Sequence, residues 1–143
     1  MTRRIVFTHT FPFSVATAQQ PRRRPEVPVR IFNIQDSSRY LDLNMLVDSG
    51  ADTTCLPAGL ADALGLDLTI LPAISTRGVS GATRAYHCDD LSMAIADMPV
   101  RCPALFVPGL PAFLLGRAGV FDTFVFAVEG RTGHTHLRVS GVR

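Results

Sequence analysis

The sequence predicts a mostly β domain with one or two short helices. Short segments of alternating apolar and polar residues recur along the chain, and the 11 Gly and 10 Pro residues separate them at short intervals. No regularly spaced long helices lie between these segments, which argues against a doubly wound α/β fold. With 143 residues, 47% of them hydrophobic and 18% charged, the chain is long enough for one domain with a buried core.

The first 25 residues are predicted to form an N-terminal arm, and residues 26–143 the domain proper. Alternation at Ile5/Phe7 and Phe11/Phe13 predicts a β-strand in the arm. A proline- and arginine-rich linker, Pro21–Pro28, follows it.

A β-hairpin is predicted next. Its strands are Val29–Ile34 and Tyr40–Val47, and the turn-forming residues Gln35–Arg39 join them. The second strand alternates apolar and polar residues and then becomes continuously apolar as it approaches Asp48. This change indicates a strand that passes from the surface of a sheet into a buried centre.

One helix is predicted after this hairpin, at Pro57–Leu64, because proline suits a first helical position and Gly65 suits the exit. The rest of the chain returns to β character. The predicted strands are Leu68–Arg77, Ala82–Tyr86, Leu91–Ala96, Val100–Val107, Phe124–Glu129 and His136–Val139.

Composition excludes several classes of protein. No uninterrupted apolar run approaches the ~20 residues of a membrane-spanning helix, so no membrane association is expected. Three scattered cysteines are too few for a disulfide framework or a closed zinc site, which favours a reducing compartment. The N-terminus faintly resembles an export signal, but Thr8, His9 and Pro12 interrupt its apolar stretch. We therefore expect a cytoplasmic protein with an N-terminal strand.

The charge distribution raises the alternative of nucleic-acid binding. The first 30 residues hold six of the 14 Arg residues and one acidic residue, and the chain has no Lys. The run Arg22–Arg24 is short, lies between two prolines and has no interleaved aromatic residues for stacking on bases. A solvated linker is the preferred interpretation, and no nucleic-acid partner is expected.

The stretch from Leu46 to Thr54 carries the most chemical information. An acid that follows a buried strand end is costly unless something compensates its charge, and Gly50 leaves room for the close approach of another backbone or a ligand. Ser49 offers a hydroxyl that could bond across to a neighbouring strand, and Thr53 and Thr54 add short-range donors. Taken alone, Asp48-Ser49-Gly50 is equally typical of a buried Asp in an Asx-turn.

In its context this stretch resembles the active-site loop of retropepsin-like aspartic peptidases. The sequence Leu46-Val47-Asp48-Ser49-Gly50-Ala51-Asp52-Thr53 matches that loop, and Phe113-Leu114-Leu115-Gly116-Arg117 matches the family's apolar-apolar-Gly-Arg segment. The spacing of the two motifs, and a glycine-rich hairpin between them, also follow the family pattern. The resemblance covers about residues 26–130 and implies half of a closed β-barrel that pairs as a two-fold homodimer.

The resemblance implies an aspartic endopeptidase that acts on a polypeptide substrate and needs no metal or other cofactor. Asp48 is the implied catalytic residue, and the two chains of a dimer would each contribute one to a pair of carboxyls sharing a proton. Only one signature is present, since Asp122-Thr123 is followed by Phe124. The residues implied to support the loop are Ser49, Gly50, Ala51, Asp52, Thr53 and Arg117, with Ser49 bonding to the loop of the partner chain.

Two further features follow from the resemblance. The tip Gly78-Val79-Ser80-Gly81 is implied to be a flap that folds over the substrate, although an ordinary surface β-turn fits the same residues. Asp52 and Arg117 are implied to form a partly buried ion pair behind the active site.

Other features depart from the family pattern or stay open. Ala118 stands where the family commonly has Asn or Asp, so one bracing hydrogen bond is expected to be missing. Alternation of His134 and His136 suggests a metal, but without a nearby carboxylate a solvent-facing pair is preferred. Cys55 is interpreted as a small core residue. The alternative function is a non-catalytic retropepsin-fold module for dimerisation or peptide binding.

Overall fold

A computed structural model describes residues 4–78 and 81–141 of the chain, and Val79 and Ser80 lie outside the described residues. Within these described residues lie ten strands, two 3-10 turns and one helix. In chain order they are β1 (His9–Pro12), β2 (Glu26–Phe32), β3 (Tyr40–Val47), β4 (Thr54–Pro57), the turns Ala58–Leu60 and Asp62–Leu64, β5 (Ala73–Gly78), β6 (Gly81–Ile95), β7 (Met98–Val107), β8 (Leu114–Leu115), α1 (Val120–Thr123), β9 (Phe124–Glu129) and β10 (His134–Val139). The predicted mostly β class is confirmed.

Seven strands form a sheet that closes into a barrel. The order is β2-β3-β8-β4-β7-β6-β5, and an additional pairing between β2 and β6 closes a ring of six strands. The strand β5 lies outside this ring and pairs with β6 alone. Six strands thus form a closed ring, from which the β5–β6 hairpin extends.

The core fills the barrel because alternate residues of each strand point inward. In β2, Val27, Val29 and Ile31 are buried while Pro28 between them is exposed. The other large side chains with no exposure come from the strands around the ring and from the turns. They include Met45, Leu56, Leu64, Leu91, Met93, Ile95, Phe106 and Leu115.

A second sheet of three strands, in the order β1-β10-β9, connects the arm to the end of the chain. All four residues of β1 pair antiparallel with β10, from His9 opposite Leu137 to Pro12 opposite His134. The predicted N-terminal strand therefore exists but is shorter than the alternation from Ile5 to Phe13 indicates. The predicted division at residue 25 remains a prediction.

The predicted β2–β3 hairpin is confirmed, with Tyr40–Val47 bounded as predicted. The predicted linker extends too far, because β2 begins at Glu26 and includes Pro28. Pairing of β2 with β6 begins only at Val29, so Pro28 lies where the strand has a partner on one side only. A proline is tolerated at such a position because it removes no hydrogen bond from a two-sided ladder.

The predicted helix Pro57–Leu64 is wrong as a single element. Two 3-10 turns of three residues take its place, and Gly65 ends them with φ 74° as the exit prediction requires. Eight residues that include Gly59 are too few to stabilise an α-helix by their own hydrogen bonds.

Six strand predictions also had incorrect boundaries. Three of them, Val29–Ile34, Val100–Val107 and His136–Val139, are observed as Glu26–Phe32, Met98–Val107 and His134–Val139. The segment Leu68–Arg77 becomes extended only at Ala73, because Asp67 accepts hydrogen bonds from Thr69 and forms a turn. The two segments predicted between Ala82 and Ala96 form one strand that ends at Ile95, with an irregularity between Cys88 and Leu91. Ala96 and Asp97 form the following two-residue turn with φ of 50° and 61°, the conformation that joins tightly twisted strands.

No helix in the described part of the chain is long and apolar enough to cross a membrane.

Candidate functional site

The loop that carries Asp48 joins β3 to β4 at the point where β8 passes between these two strands. Both strands pair with β8, in parallel at Leu46–Leu114 and Val47–Leu115 and antiparallel at Cys55–Leu114. Asp48 follows directly after β3, and its backbone N–H donates to the Leu115 carbonyl over 3.0 Å. The position of the acid is thus set by the barrel rather than by a flexible loop.

The turn at Asp48 has the hydrogen bonds of the Asx-turn that the sequence left open as an alternative. The Asp48 carboxylate accepts the Gly50 N–H over 2.9 Å, and the Asp48 carbonyl accepts the Ala51 N–H over 3.2 Å. Asp48 is nevertheless half-exposed, not buried. A Cβ on Gly50 would lie 3.2 Å from the Asp48 carboxylate oxygen, so glycine leaves this acid room. Ser49 is exposed.

The segment after β8 lies directly against the loop. The Arg117 N–H donates to the Ala51 carbonyl and the Ala118 N–H to the Asp52 carbonyl, each over 2.9 Å. These backbone bonds connect the two predicted motifs regardless of the side chain at position 118. The bracing bond expected to be missing at Ala118 therefore concerns a side chain only.

The Arg117 guanidinium contacts the Asp52 carboxylate, so the implied partners are in contact. The pair was expected to be partly buried, and this expectation is wrong for the single chain. The Asp52 side chain is 86% exposed and that of Arg117 53% exposed. Water screens such a pair, and its contribution to the stability of one chain is small.

Thr54 connects the loop to β8 through its side chain. Its hydroxyl is fully buried and accepts the Gly116 N–H over 3.1 Å. The sequence singled out Thr53 as loop support and named Thr54 only as a short-range donor. The signal that would have distinguished them is the alternation of β4, in which Thr54 and Leu56 point into the core while Cys55 and Pro57 are partly exposed.

Cys55 lies on the same side of the barrel as Asp48. Partial burial raises the pKa of its thiol, and the negative charge of Asp48 raises that pKa further. The thiol donates to the Thr53 carbonyl over 3.3 Å. Cys55 packs against a small cluster of Ala85, Leu105 and Val107, so the interpretation as a small packed residue fits its surroundings.

The hairpin implied to be a flap consists of β5 and β6. Their register runs from Ala73 opposite Tyr86 to Gly78 opposite Gly81. The implied tip residues Val79 and Ser80 lie outside the described residues. Most side chains of the hairpin arm are exposed, while Ala85 at its base is fully buried in the cluster with Cys55. The base of the hairpin is thereby linked to the neighbourhood of Asp48.

The expectation of a solvent-facing histidine pair without a nearby carboxylate is wrong for His136, which has a carboxylate beside it. His136 contacts Glu129 over 3.0 Å through Nε2 and the Thr10 hydroxyl over 2.9 Å through Nδ1. The hydrogen bond from His136 is the main cause that lowers the pKa of Glu129. Among residues 4–78 and 81–141, no group of three or more His, Cys, Asp or Glu side chains is arranged to hold a metal. The Thr10 contact of His136 joins β10 to β1, and its Glu129 contact joins β10 to β9.

A known protein family matches the part of the chain that contains the candidate site. A family model described as "gag-polyprotein putative aspartyl protease" matches residues 39–118. The matched range begins just before β3 and ends at Ala118, so it contains the Asp48 loop, the β5–β6 hairpin and the Gly116-Arg117 segment. No curated protein matches the chain.

Proposed function

The chain belongs to the gag-polyprotein aspartyl protease family, of retropepsin type, and from this premise we propose that it is an aspartic endopeptidase that acts as a homodimer. The family implies an aspartyl-protease-like function. The finer proposal is that Asp48 of each of two chains meets on a two-fold axis, and that the pair of carboxyls activates a water molecule for attack on a peptide bond.

The observation that carries this proposal is the placement of Asp48. The acid is half-exposed at the end of a barrel strand, and its N–H is bonded to the Leu115 carbonyl of an inserted strand. The Asp48 carboxylate in turn accepts the Gly50 N–H over 2.9 Å, so both the backbone and the side chain of the acid are held, as a catalytic acid or base requires. A second feature supports the same assignment, since Cys55 beside it packs with the base of the β5–β6 hairpin.

The dimer is proposed because one chain offers one such acid. Asp-Ser-Gly occurs once in the sequence. Asp122-Thr123, the Asp-Thr pair that lies outside the Asp48 loop, is in the helix α1. Two copies related by a two-fold axis would bring two Asp48 residues face to face, each contributed by the same surface. Ser49, which is exposed in the single chain, is then free to bond to the loop of the partner chain.

The proposed chemistry uses one shared proton. Two carboxyls at hydrogen-bonding distance do not both ionise, so one is a carboxylate and the other a carboxylic acid. The carboxylate takes a proton from water as the water oxygen bonds to the peptide carbonyl carbon. The protonated carboxyl donates to the amide nitrogen as the C–N bond breaks, and the pair ends with one proton again.

The hairpin is proposed as the flap over an extended substrate. An extended peptide is recognised by backbone hydrogen bonds, and a hairpin that covers it also excludes water from the carboxyl pair. Gly78 and Gly81 flank the tip, and Gly81 has φ 112°, a conformation that glycine adopts without strain. The proposed tip residues Val79 and Ser80 lie outside the described residues.

A peptide-library digestion tests the proposal. The wild type, Asp48→Asn and the matched control Asp122→Asn are compared from acidic to neutral pH, with and without a statine-type transition-state mimic. We expect cleavage by the wild type and the control, none by Asp48→Asn, and inhibition by the mimic. Equal cleavage by all three proteins would show that a contaminating peptidase causes the cleavage. Binding of peptides without cleavage would instead support the non-catalytic module.

The dimer is tested separately by sedimentation equilibrium together with activity measured over a range of protein concentrations. We expect specific activity to fall on dilution in step with dissociation. Full activity in a protein that is monomeric at every concentration would contradict the shared pair of Asp48 residues.

A further inference from the structure

We propose that Thr54 is a positioning residue for Asp48 and acts through the peptide group that joins Leu115 to Gly116. The inference rests on the proposed function of Asp48 for its kinetic consequence but on the hydrogen bonds of the single chain for its geometry. Thr54 itself is buried in the core and is not placed to touch a substrate.

The argument begins with a single peptide group that is held at both ends. Its carbonyl, from Leu115, accepts the Asp48 N–H over 3.0 Å. Its N–H, from Gly116, donates to the Thr54 hydroxyl over 3.1 Å. Because a peptide group is planar and rigid, a rotation that moves the N–H away from Thr54 also turns the carbonyl that holds Asp48. The Thr54 hydroxyl is therefore coupled to the backbone of the catalytic residue.

Within β8 few other hydrogen bonds keep the peptide in place, and the next bonds to the loop come from the backbone N–H groups of Arg117 and Ala118. β8 is two residues long and pairs with β4 at one position and with β3 at two. Among these contacts the Thr54 bond is made by a side chain, so it is the one that a substitution is able to remove without altering the backbone. Ala118, at the position where an Asn or Asp was expected, offers no polar side chain to replace it.

Burial makes the loss of this bond consequential. Thr54 has no exposed surface and Gly116 is buried, so an N–H left without Thr54 has no ready access to water. A buried backbone donor without a partner is costly, and the chain relieves the cost by shifting until the donor finds water or another acceptor. Any such shift of Gly116 displaces the carbonyl that holds Asp48.

The first test measures amide hydrogen exchange by NMR and does not require activity. Thr54→Val replaces the hydroxyl by a methyl group of similar size, and Thr54→Ser keeps the hydroxyl. We expect Thr54→Val to speed the exchange of both the Gly116 and the Asp48 N–H by roughly tenfold, and Thr54→Ser to restore most of the protection. Faster exchange at Gly116 with unchanged exchange at Asp48 would overturn the proposal.

A matched control comes from another buried threonine. Thr135 in β10 is also fully buried, and its hydroxyl has no hydrogen-bond partner among the described residues. Thr135→Val makes the same chemical change far from the Asp48 loop. We expect it to leave the exchange of Gly116 and Asp48 unchanged. An equal effect of both substitutions would show a general loosening of the fold and would count against a specific role for Thr54.

The second test measures turnover of an oligopeptide. We expect Thr54→Val to lower kcat by about tenfold or more with KM changed less than about twofold, because the substrate still meets the same surface while Asp48 is misplaced. The limbs of its pH–rate profile should also shift, since the coupling of two carboxyls depends on their separation. Thr54→Ser should recover kcat, and Thr135→Val should resemble the wild type.

The outcomes separate the two proposals. If the wild type cleaves no peptide, the proposed function fails, and the exchange of Gly116 and Asp48 still decides whether Thr54 positions the loop. If the wild type cleaves and Thr54→Val does so equally well, the proposed function stands and the role of Thr54 is overturned. If Thr54→Val does not fold, the wild-type protein decides: a Gly116 N–H that exchanges as fast as that of exposed Ser49 would refute the bond.

Discussion

Gly116 packs directly against the backbone of Thr53. A Cβ at position 116 would lie 2.6 Å from the Thr53 carbonyl oxygen and equally close to the Thr54 nitrogen. Real Cβ atoms do not approach other atoms this closely. The contacting atoms belong to the backbone, which does not shift aside as easily as the end of a flexible side chain. The glycine of the second motif is therefore required by the close contact of β8 with the Asp48 loop.

This contact predicts the effect of Gly116→Ala. Overpacking against backbone should lower the free energy of unfolding by about 2 kcal/mol or more and should reduce activity, because β8 must move away from the loop. Urea unfolding and peptide turnover measure the two effects. Gly59→Ala is the control, since a Cβ at Gly59 meets no atom within 4 Å. Equal stability of the two variants would show that β8 is not held this closely.

Arg117→Ala tests the ion pair with Asp52. Both side chains are largely exposed in the single chain, so we expect the free energy of unfolding of the monomer to fall by less than about 1 kcal/mol. Dimer stability and activity should fall more, because the proposed dimer places the loop that carries Asp52 against the partner chain. Arg101→Ala, which removes another exposed Arg–Asp pair, should change neither. Unchanged turnover and association in Arg117→Ala would remove the bracing role.

Alkylation of Cys55 reports on Asp48 without an activity assay. Burial is the main cause that raises the pKa of the Cys55 thiol, and the charge of Asp48 adds to it. Asp48→Asn removes that charge, so the pKa of Cys55 should fall, the thiolate fraction at about pH 8 should rise, and alkylation should be faster. Mass spectrometry of the modified peptide measures the rate. Asp122→Asn should leave it unchanged, and the same rate in both variants would place Asp48 too far away.

The buried Cys102 serves as an internal reference in that experiment. Its pKa is raised to about 11, chiefly by burial, so little thiolate forms near neutral pH. We expect Cys102 to react far more slowly than Cys55 in the native protein. Rapid modification of Cys102 would indicate that the protein had unfolded during the assay.

Acid should destabilise the folded chain. Several exposed carboxyls have a pKa lowered mainly by side-chain hydrogen bonds, namely Asp36, Asp42, Asp67, Asp90 and Glu129. Because the folded state binds protons less readily than the unfolded state, their contribution is complete above about pH 4 to 5 and is lost as pH falls through the folded pKa values. Urea unfolding at neutral and acidic pH measures the loss.

Asp90→Asn supplies the matching variant for the acid experiment. Asp90 owes its lowered pKa to the hydrogen bond from Arg101, so the variant should lose less stability on acidification than the wild type. Stability that is constant or higher in acid would contradict the prediction. The result also defines the pH range in which peptidase assays report on folded protein.

Much of the fold was predictable because local sequence patterns determine local structure. The alternation in Tyr40–Val47 and Phe124–Glu129 predicted strands with the observed bounds. The helix prediction failed at Pro57–Leu64, where the local preferences for an α-helix and for 3-10 turns are close in energy. The strand prediction failed between Cys88 and Leu91, where one long strand continues through an irregularity. The contact between Asp52 and Arg117 joins residues 65 positions apart, so their exposure was not predictable from their neighbours. The carboxylate beside His136 comes from Glu129, seven residues away on the paired strand β9, and depends on the register of that pairing.

By itself the sequence determined the β class of this protein and the identity of its acidic loop, since alternation and short motifs depend on neighbouring residues. Only the tertiary structure decided that the Leu115–Gly116 peptide joins Asp48 to Thr54, because that contact unites segments about 60 residues apart in the chain. The spacing of residues along a sequence specifies which side chains share a face of a strand. Which strands become neighbours is decided when the barrel closes around its core.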